Sequence, residues 1–172
     1  MELSPVLPDS PDAVLQIAES LLSEQGFRII DRSVDRPWGG FLVIDPAQAQ
    51  QFASVFFQEV DFSTIQLTGH LSPKILMVKP HHRLSWQYHH RRAEIWKHIG
   101  GTAAIITSPD DQEGHPRTLH LGEVIRLAQG ERHRLIGGSG WGMIAEIWQH
   151  TNSSHLSDEA DIVRLQDDYR KI

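Results

Sequence analysis

Two stretches near the start of the chain have the apolar spacing of amphipathic helices. In the first, apolar residues recur every three or four positions, at Val14, Ile17, Ala18, Leu21 and Leu22. Ser10, Pro11 and Asp12 supply its cap, its first-turn proline and an acidic group near the positive end, and Gly26 closes it. A second helix is expected after Asp45-Pro46, with Phe52, Val55 and Phe56 on its buried side. Between them, GGFLVID has the composition of a strand.

From about residue 64 the pattern changes to short apolar or alternating runs. They read KILMVK, RLSWQYH, AEIWKHI, TAAIIT, RTLHL, EVIRLA, HRLIG and GMIAEIW. Turn-forming segments such as SPDDQEGHP and GGSG separate many of them, and Gly100 with Gly101 is expected to end the AEIWKHI strand. This texture predicts an all-β sandwich or barrel. The tail SDEADIVRLQDDYRK is compatible with a strand or a short helix.

Composition narrows the class of protein. A chain of 172 residues suits a single domain spanning residues 1–172, in which residues 1–30 form a helical extension. The net charge of −6 argues against binding nucleic acid through a basic surface. The absence of cysteine excludes disulfides and thiolate metal sites. No signal peptide or membrane-spanning run is visible, so we expect a cytoplasmic protein with no membrane partner.

The segment RLSWQYH has two distinct faces if it is a strand. Arg83, Ser85, Gln87 and His89 then share one face, because side chains alternate along a strand. The other face carries Leu84, Trp86 and Tyr88. An aromatic face of this kind needs a cover, either the N-terminal helix or another subunit. The second possibility predicts a homodimer.

Four residues on these strands have the donor atoms of a metal site. If residues 90 to 93 form a turn, Glu94 meets Gln87 and His89 across a strand pair, and a later strand supplies His133. Two imidazoles, a carboxylate and an amide suit zinc or another first-row divalent ion, such as nickel, manganese or iron. A cluster of exposed polar residues is the alternative. His90, Arg91 and Arg92 are expected to form a solvated turn.

The same residues carry a family resemblance. The spacing Gln87-x-His89-x4-Glu94-x6-Gly101 resembles the first cupin motif, and Gly122-x5-Ala128-x-Gly130-x2-His133 resembles the second. Over about residues 36–170 the chain is similar to the cupin domain of type II mannose-6-phosphate isomerases. The matching blocks are RPWGG, KILMVKP, RLSWQYHHRRAEIWKHIGGTA, GERHRL and DIVRLQDDY, in family order. The resemblance implies a double-stranded β-helix, or jelly-roll barrel. The helical patterns described above are N-terminal additions outside this family core.

The resemblance also implies an activity, the interconversion of mannose 6-phosphate and fructose 6-phosphate at a divalent metal, with zinc expected. Glu146, His98 and Lys74 are the candidate acid/base residues, beside a metal-bound water. Arg83, Lys74 and Arg134 are the candidates for holding the phosphate, although Arg134 on an ideal strand points away from the metal. Two other classes stay open: an oxygenase or lyase acting on a sugar or sugar acid, and a non-catalytic sugar-binding cupin.

Overall fold

The computed structural model describes residues 1–171 and contains both predicted helices. Helix α1 spans Pro11–Glu24, and the Ser10 side chain caps it by accepting a hydrogen bond from the Ala13 N–H at 3.3 Å. Helix α2 spans Ala49–Phe56 and buries Phe52 and Phe56 completely. In the described part of the chain, no helix is both long and apolar enough to cross a membrane.

The rest of the fold is a set of antiparallel strands. They are β1 (Ile29–Arg36), β2 (Gly39–Ile44), β3 (Leu71–Val78), β4 (Trp86–Tyr88), β5 (Arg92–Ser108), β6 (Arg117–Thr118), β7 (Val124–Leu127), β8 (Arg132–His150) and β9 (Val163–Gln166). The tail is therefore a strand, β9, rather than a helix. This architecture confirms the predicted all-β jelly-roll barrel with helical additions. Helix α1 precedes the strands, whereas α2 lies between β2 and β3.

Two long strands, β5 and β8, join the two halves of the barrel. They pair with each other along most of their length, from Arg92 opposite His150 to Ser108 opposite Arg132. The first half of β5 and the second half of β8 lie in one sheet with β1, β2, β3 and β7. Their other halves lie in a second sheet with β4, β6 and β9. The two sheets enclose the barrel interior.

Glycines bend β5 and β8 where they pass from one sheet to the other. The prediction that Gly100 and Gly101 end a strand is wrong, and so is the reading of GGSG as a turn, because both segments lie inside continuous strands. The pairing shifts register on both sides of residues 100 and 101. Gly101 has a φ of 64°, and a Cβ there would lie 1.8 Å from the Trp141 carbonyl oxygen. The glycines therefore act as bulge residues that turn a barrel corner rather than as strand breakers.

Strand alternation divides the apolar residues into two cores. One core lies outside the barrel, where α1 and α2 cover the sheet; it includes Leu22, Phe52, Ile95 and Ile147. The other lies inside the barrel and includes Trp96, Leu135 and Ile144. Toward one end of the barrel the interior side chains are polar rather than apolar. These polar residues form the candidate site.

The aromatic face of β4 is covered within the chain. Trp86 is 2% exposed and its indole N–H donates to the Asp111 carbonyl oxygen at 2.8 Å. Arg132 stacks on the Tyr88 ring at 3.7 Å. The cover is therefore the segment around Asp111 and the start of β8, not helix α1. This face gives no support for a second subunit, and the homodimer stays a prediction.

Candidate metal centre and cavity

The four proposed metal ligands come from three strands that converge on the barrel interior. Gln87 on β4 lies directly opposite His133 on β8, and His89 follows the end of β4. Glu94 approaches from the other sheet, in the first half of β5. The prediction that Glu94 meets the others across a β4–β5 pair is wrong, because β4 pairs with β8 and β9 instead. Glu94 reaches them across the interior.

Three of the four ligands offer donor atoms close enough to share one ion. Atoms of His89, Glu94 and His133 lie within 4.8 Å of one another, and all three residues are buried. The Glu94 carboxylate is 3.7 Å from His89 Nε2 and 3.1 Å from His133 Nε2. Glu94 Oε1 and His133 Nε2 have no hydrogen-bond partner within residues 1–171 despite their burial. Buried polar atoms without a partner are costly, so this donor set fits a divalent metal.

Both imidazoles present the same nitrogen to the cluster. Nδ1 of His89 lies 2.8 Å from the Asp161 carbonyl oxygen, and Nδ1 of His133 lies 3.0 Å from that of Glu131. A carbonyl oxygen only accepts, so each Nδ1 carries a proton, and in the neutral ring Nε2 keeps its lone pair. Metal-binding histidines in proteins are commonly held in this way.

Gln87 can join the cluster after a rotation of its amide. Its Oε1 accepts a hydrogen bond from Ser85 Oγ at 2.6 Å, and its Nε2 is 3.4 Å from His89 Nε2. A half-turn of the amide exchanges these two atoms and brings the oxygen toward the cluster without moving the backbone. Ser85 Oγ then accepts from the amide nitrogen instead of donating to the oxygen.

Arg92 is a site residue that the sequence reasoning missed. It is 6% exposed rather than part of a solvated turn, and it lies over the Trp148 ring at 3.6 Å. Its Nε donates to Glu94 Oε2 at 2.9 Å, and its Nη2 is 3.2 Å from His89 Nε2. A bound metal would take the His89 lone pair from Arg92. The available signal was the two-residue spacing to Glu94, which puts both on one strand face.

Burial and mutual charge set the protonation of this cluster. Burial lowers the pKa of His89 to about 3, so its ring is neutral at neutral pH. Burial would raise the pKa of Glu94, but Arg92 and the two imidazoles outweigh it and hold that pKa well below its ordinary value. Burial would likewise lower the pKa of His133, but the Glu94 carboxylate raises it. The carboxylate is therefore ionised and ready to bind a cation.

A cavity of about 430 Å³ opens beside the cluster, and Gln87, Arg92 and Glu94 form part of its wall. This volume is in the range of small-molecule sites. Lys74 and Glu146 also line it, and they lie opposite each other on β3 and β8. Lys74 stacks on the Trp148 ring at 3.8 Å and forms an ion pair with Glu159. The structure therefore brings two of the candidate acid/base residues to the cavity beside the proposed metal ligands Gln87 and Glu94.

Glu146 has the protonation behaviour of an acid/base catalyst. Its two oxygens accept hydrogen bonds from the indole N–H groups of Trp96 at 2.7 Å and Trp148 at 2.9 Å. Burial, reinforced by the negative charge of Glu94, raises its pKa to about 7. A carboxyl group poised near neutral pH can both take up and release a proton.

This shift predicts a change in stability with pH. Because the folded-state pKa lies above the ordinary value of 4.5, the stabilising contribution of protonated Glu146 is complete below pH 4.5 and is lost as pH rises through 7. Glu146→Gln lacks this titration. Between pH 5 and pH 8 we expect the unfolding free energy of the variant to rise relative to wild type by roughly 2 kcal/mol. Urea unfolding of the metal-free proteins at both pH values measures it, and parallel pH profiles would contradict the assignment.

Two other candidate residues, one proposed for phosphate binding and one for acid/base chemistry, lie away from the cavity wall. Arg134 is completely buried, but it is engaged by Glu113, Gln166 and the Leu84 carbonyl oxygen. His98 is buried beside the bulge in β5, where its Nε2 contacts the Gly100 carbonyl oxygen at 3.0 Å. Neither position brings the side chain to the proposed metal.

Arg83 is displaced by a one-residue bulge. Between Arg83 and Gln87 the chain advances four residues, whereas the paired segment of β8 advances three, from Ile136 to His133. A one-residue slip moves side chains to the opposite face, so Arg83 does not share the face of Gln87. It forms a bidentate pair with Asp168, at 2.8 and 3.0 Å.

The cavity is lined instead by three further arginines that were not among the candidates from the sequence. They are Arg36, Arg164 and Arg170. Arg164 and Arg170 share one carboxylate, that of Asp167, at 3.9 and 3.2 Å. Burial, followed by the charge of Arg170, lowers the pKa of Arg164, as expected for a guanidinium whose positive charge is not fully balanced. These three guanidinium groups thus line the cavity together with the carboxylates of Asp167 and Glu159.

Comparison with curated proteins relates the chain to enzymes of mannose metabolism. It is 29% identical over 141 residues to mannose-1-phosphate guanylyltransferase ManC of Salmonella typhimurium, a match covering 82% of this chain and 23% of ManC. It is 30% identical over 128 residues to the alginate biosynthesis protein AlgA of Pseudomonas aeruginosa, covering 72% of this chain and 24% of AlgA. The chain thus matches about a quarter of the length of these relatives.

Solved structures and family comparison agree on the fold. The structure of CapF with the inhibitor 3-isopropenyl-tropolone aligns with a TM-score of 0.54 at 14% identity, covering 79% of this chain and 34% of that one. At this identity the likeness supports the fold alone. The family described as "Mannose-6-phosphate isomerase C-terminal" matches residues 47–167, which include every proposed metal ligand. The chain therefore belongs to the mannose-6-phosphate isomerase C-terminal family of cupin domains.

Proposed function

We propose that this domain is a metal-dependent aldose–ketose isomerase of sugar phosphates that interconverts mannose 6-phosphate and fructose 6-phosphate in the cytoplasm. The observation that carries the proposal is the single cavity on which the metal cluster, a carboxyl group with a pKa of about 7 and several cations converge. Zinc is the metal we propose, since two imidazoles and a carboxylate are ligands it favours; nickel, manganese and iron are the alternatives.

The reaction needs a proton to move between adjacent carbons while negative charge develops on the substrate oxygens. We assign the carbon-bound proton to Glu146, which takes it from C2 of the aldose and returns it to C1, while the hydroxyl proton of O2 passes to O1. His89, Glu94 and His133, with Gln87 after its amide rotation, would hold the divalent metal, which would supply Lewis-acid polarisation of the substrate carbonyl. Arg92, freed from His89, can donate hydrogen bonds to the same developing charge. The indole N–H groups of Trp96 and Trp148 orient the Glu146 carboxylate by hydrogen bonds.

The cavity arginines are our candidates for holding the phosphate, together with Lys74. Arg36, Arg164 and Arg170 line the cavity, whereas Arg83 and Arg134 are engaged in pairs elsewhere. A guanidinium binds phosphate through two parallel hydrogen bonds, so an arginine is a better anchor than a lysine. We therefore assign phosphate binding to the cavity arginines rather than to Arg83 and Arg134.

The direct test combines metal analysis with an activity assay. The purified protein is analysed for bound metals, reconstituted with zinc, and assayed on a panel of aldose phosphates that includes mannose 6-phosphate. We expect one divalent ion per chain and turnover that a chelator abolishes. Metal-loaded protein that converts none of these substrates would refute the isomerase proposal.

Replacing Arg164 should weaken substrate binding. Arg164→Gln removes one bidentate phosphate contact, and we expect KM to rise about tenfold with a smaller change in kcat, because the phosphate is remote from the reacting carbons. Steady-state kinetics on mannose 6-phosphate measure both constants. Arg83→Gln is the matched control: it removes an arginine outside the cavity and should leave KM unchanged. Equal effects of the two substitutions would argue against this assignment.

One contact favours a second candidate, a non-catalytic sugar-phosphate-binding domain. The Arg92 guanidinium already satisfies His89 Nε2 at 3.2 Å and the Glu94 carboxylate at 2.9 Å, and so could hold the cluster together without metal. Such a protein would bind mannose 6-phosphate in a calorimeter in the presence of chelator and show no turnover. Stoichiometric bound iron with no isomerase activity would instead favour the oxygenase alternative.

A further inference from the structure

A buried carboxylate outside the cavity organises the turn that carries His89 and Arg92. Asp161 lies in the segment between β8 and β9, 72 residues further along the chain than His89, and it is 3% exposed. Its carboxylate accepts the backbone N–H groups of His90 and Arg91, both at 3.0 Å. Two successive amides aimed at one carboxylate fix the course of the backbone between β4 and β5.

The backbone carbonyl of Asp161 acts on the same turn from the other side. It accepts the His89 Nδ1 proton at 2.8 Å and lies 3.5 Å from Arg92 Nη1. The first contact fixes the tautomer and the plane of the ring, so that Nε2 points toward Glu94. One residue thus holds both the backbone of the turn and the orientation of the imidazole before it.

Ser157 links this arrangement to Arg92. Its hydroxyl donates to Asp161 Oδ2 at 2.6 Å and accepts from Arg92 Nη1 at 2.8 Å. A hydroxyl has one proton to give, and here it goes to the carboxylate while the lone pairs receive the guanidinium. The carboxylate therefore also sets the direction in which Arg92 meets Glu94.

We propose that Asp161 is a positioning residue, which holds His89 Nε2 and the Arg92 guanidinium toward Glu94. The role requires an ionised aspartate, because both of its oxygens receive donors. An asparagine would turn an NH₂ group against one of these N–H or O–H donors. Its relevance to catalysis rests on the proposed metal centre, but the orientation it imposes exists without metal.

The test compares wild type, Asp161→Asn and Asp61→Asn as full-length, ¹⁵N-labelled, metal-free proteins. Asp61 is the matched control: its carboxylate also accepts a backbone N–H and a serine hydroxyl, both from Ser63, but on the surface. In wild type we expect the His89 ring to be protonated at Nδ1 by NMR. In Asp161→Asn, hydrogen exchange at the His90 and Arg91 amides should accelerate about tenfold or more. Asp61→Asn should leave both amides unchanged.

Zinc affinity gives a second readout. By competition with a chelator, Asp161→Asn should bind zinc about 10- to 100-fold more weakly than wild type. Unchanged amide exchange in Asp161→Asn would overturn the proposal. So would an Nε2-protonated His89 in the wild type, a result that needs no variant to fold. If wild type binds no zinc, the proposed function fails, while ring tautomer and amide exchange still decide the role of Asp161.

Discussion

Replacing His133 by alanine is expected to weaken metal binding by about two to three orders of magnitude and to lower isomerase activity with it. His133 Nε2 is buried and has no hydrogen-bond partner within the described residues. It lies 3.1 Å from the Glu94 carboxylate, so in the neutral ring its lone pair is available to a metal shared with Glu94. If an apparent zinc-binding free energy of about 10–16 kcal/mol is shared by four ligands, losing one lowers affinity by about two to three orders of magnitude. A competition titration with a chelator measures this loss.

His98→Gln is the matched control for this experiment. His98 is as buried as His133, at 2% exposure each, but its ring contacts a backbone carbonyl away from the cavity. We expect this variant to keep wild-type zinc affinity and activity. If His133→Ala keeps wild-type zinc affinity in the competition titration, the ligand set is wrong. If His98→Gln loses activity with zinc still bound, His98 regains its place as an acid/base candidate.

Glu146→Gln should retain zinc and lose most isomerase activity. The amide keeps the shape of the side chain but cannot accept a proton from the substrate, and losing a positioned acid/base typically lowers kcat by about 10²- to 10⁴-fold. In wild type, kcat should rise with pH around 7, because the base is active when ionised and its pKa is raised to about 7. The variant should lack this dependence. Steady-state rates between pH 5.5 and 8.5, with zinc occupancy measured alongside, test both expectations.

Glu59→Gln provides the control for carboxylate removal. Glu59 pairs with Lys97 on the outer face of the barrel, at 3.1 Å, and is remote from the cavity chemistry. It should leave kcat and its pH dependence unchanged. A Glu146→Gln enzyme with wild-type kcat would rule out Glu146 as the acid/base and return the role to Lys74 or a metal-bound water.

Local sequence patterns were sufficient for both α-helices and for the face on which each proposed ligand lies. The helix at Pro11–Glu24 follows from its cap, its proline and its apolar spacing, all of which act within a few residues. Glu94 and Trp96 face the interior because alternation along a strand is a property of the backbone. Alternation also placed Arg92 beside Glu94. The error was to treat it as part of a solvated turn because it is charged and lies next to His90 and Arg91.

Local patterns failed where one residue changed the register. The bulge between Arg83 and Gln87 turns Arg83 outward. No residue in that segment predicts the bulge. At Gly100 and Gly101 the same glycines that commonly end strands allow β5 to bend and continue. Whether a glycine ends a strand or bends it depends on the strand that pairs beside it, here β8.

By itself the strand and helix pattern determined the all-β class, the helical additions and the types and facing of the proposed metal-binding side chains, because these depend on spacing along one strand or helix. The jelly-roll barrel was implied by the family resemblance. Only the tertiary structure decided that β4 pairs with β8 and β9, so that Glu94 meets the histidines across the barrel. It also brought Asp161 to the turn after His89 and Arg164 to the cavity. Most of these contacts join residues far apart in the chain, 71 positions for Asp161 and His90, and their geometry depends on how whole strands pair and bend.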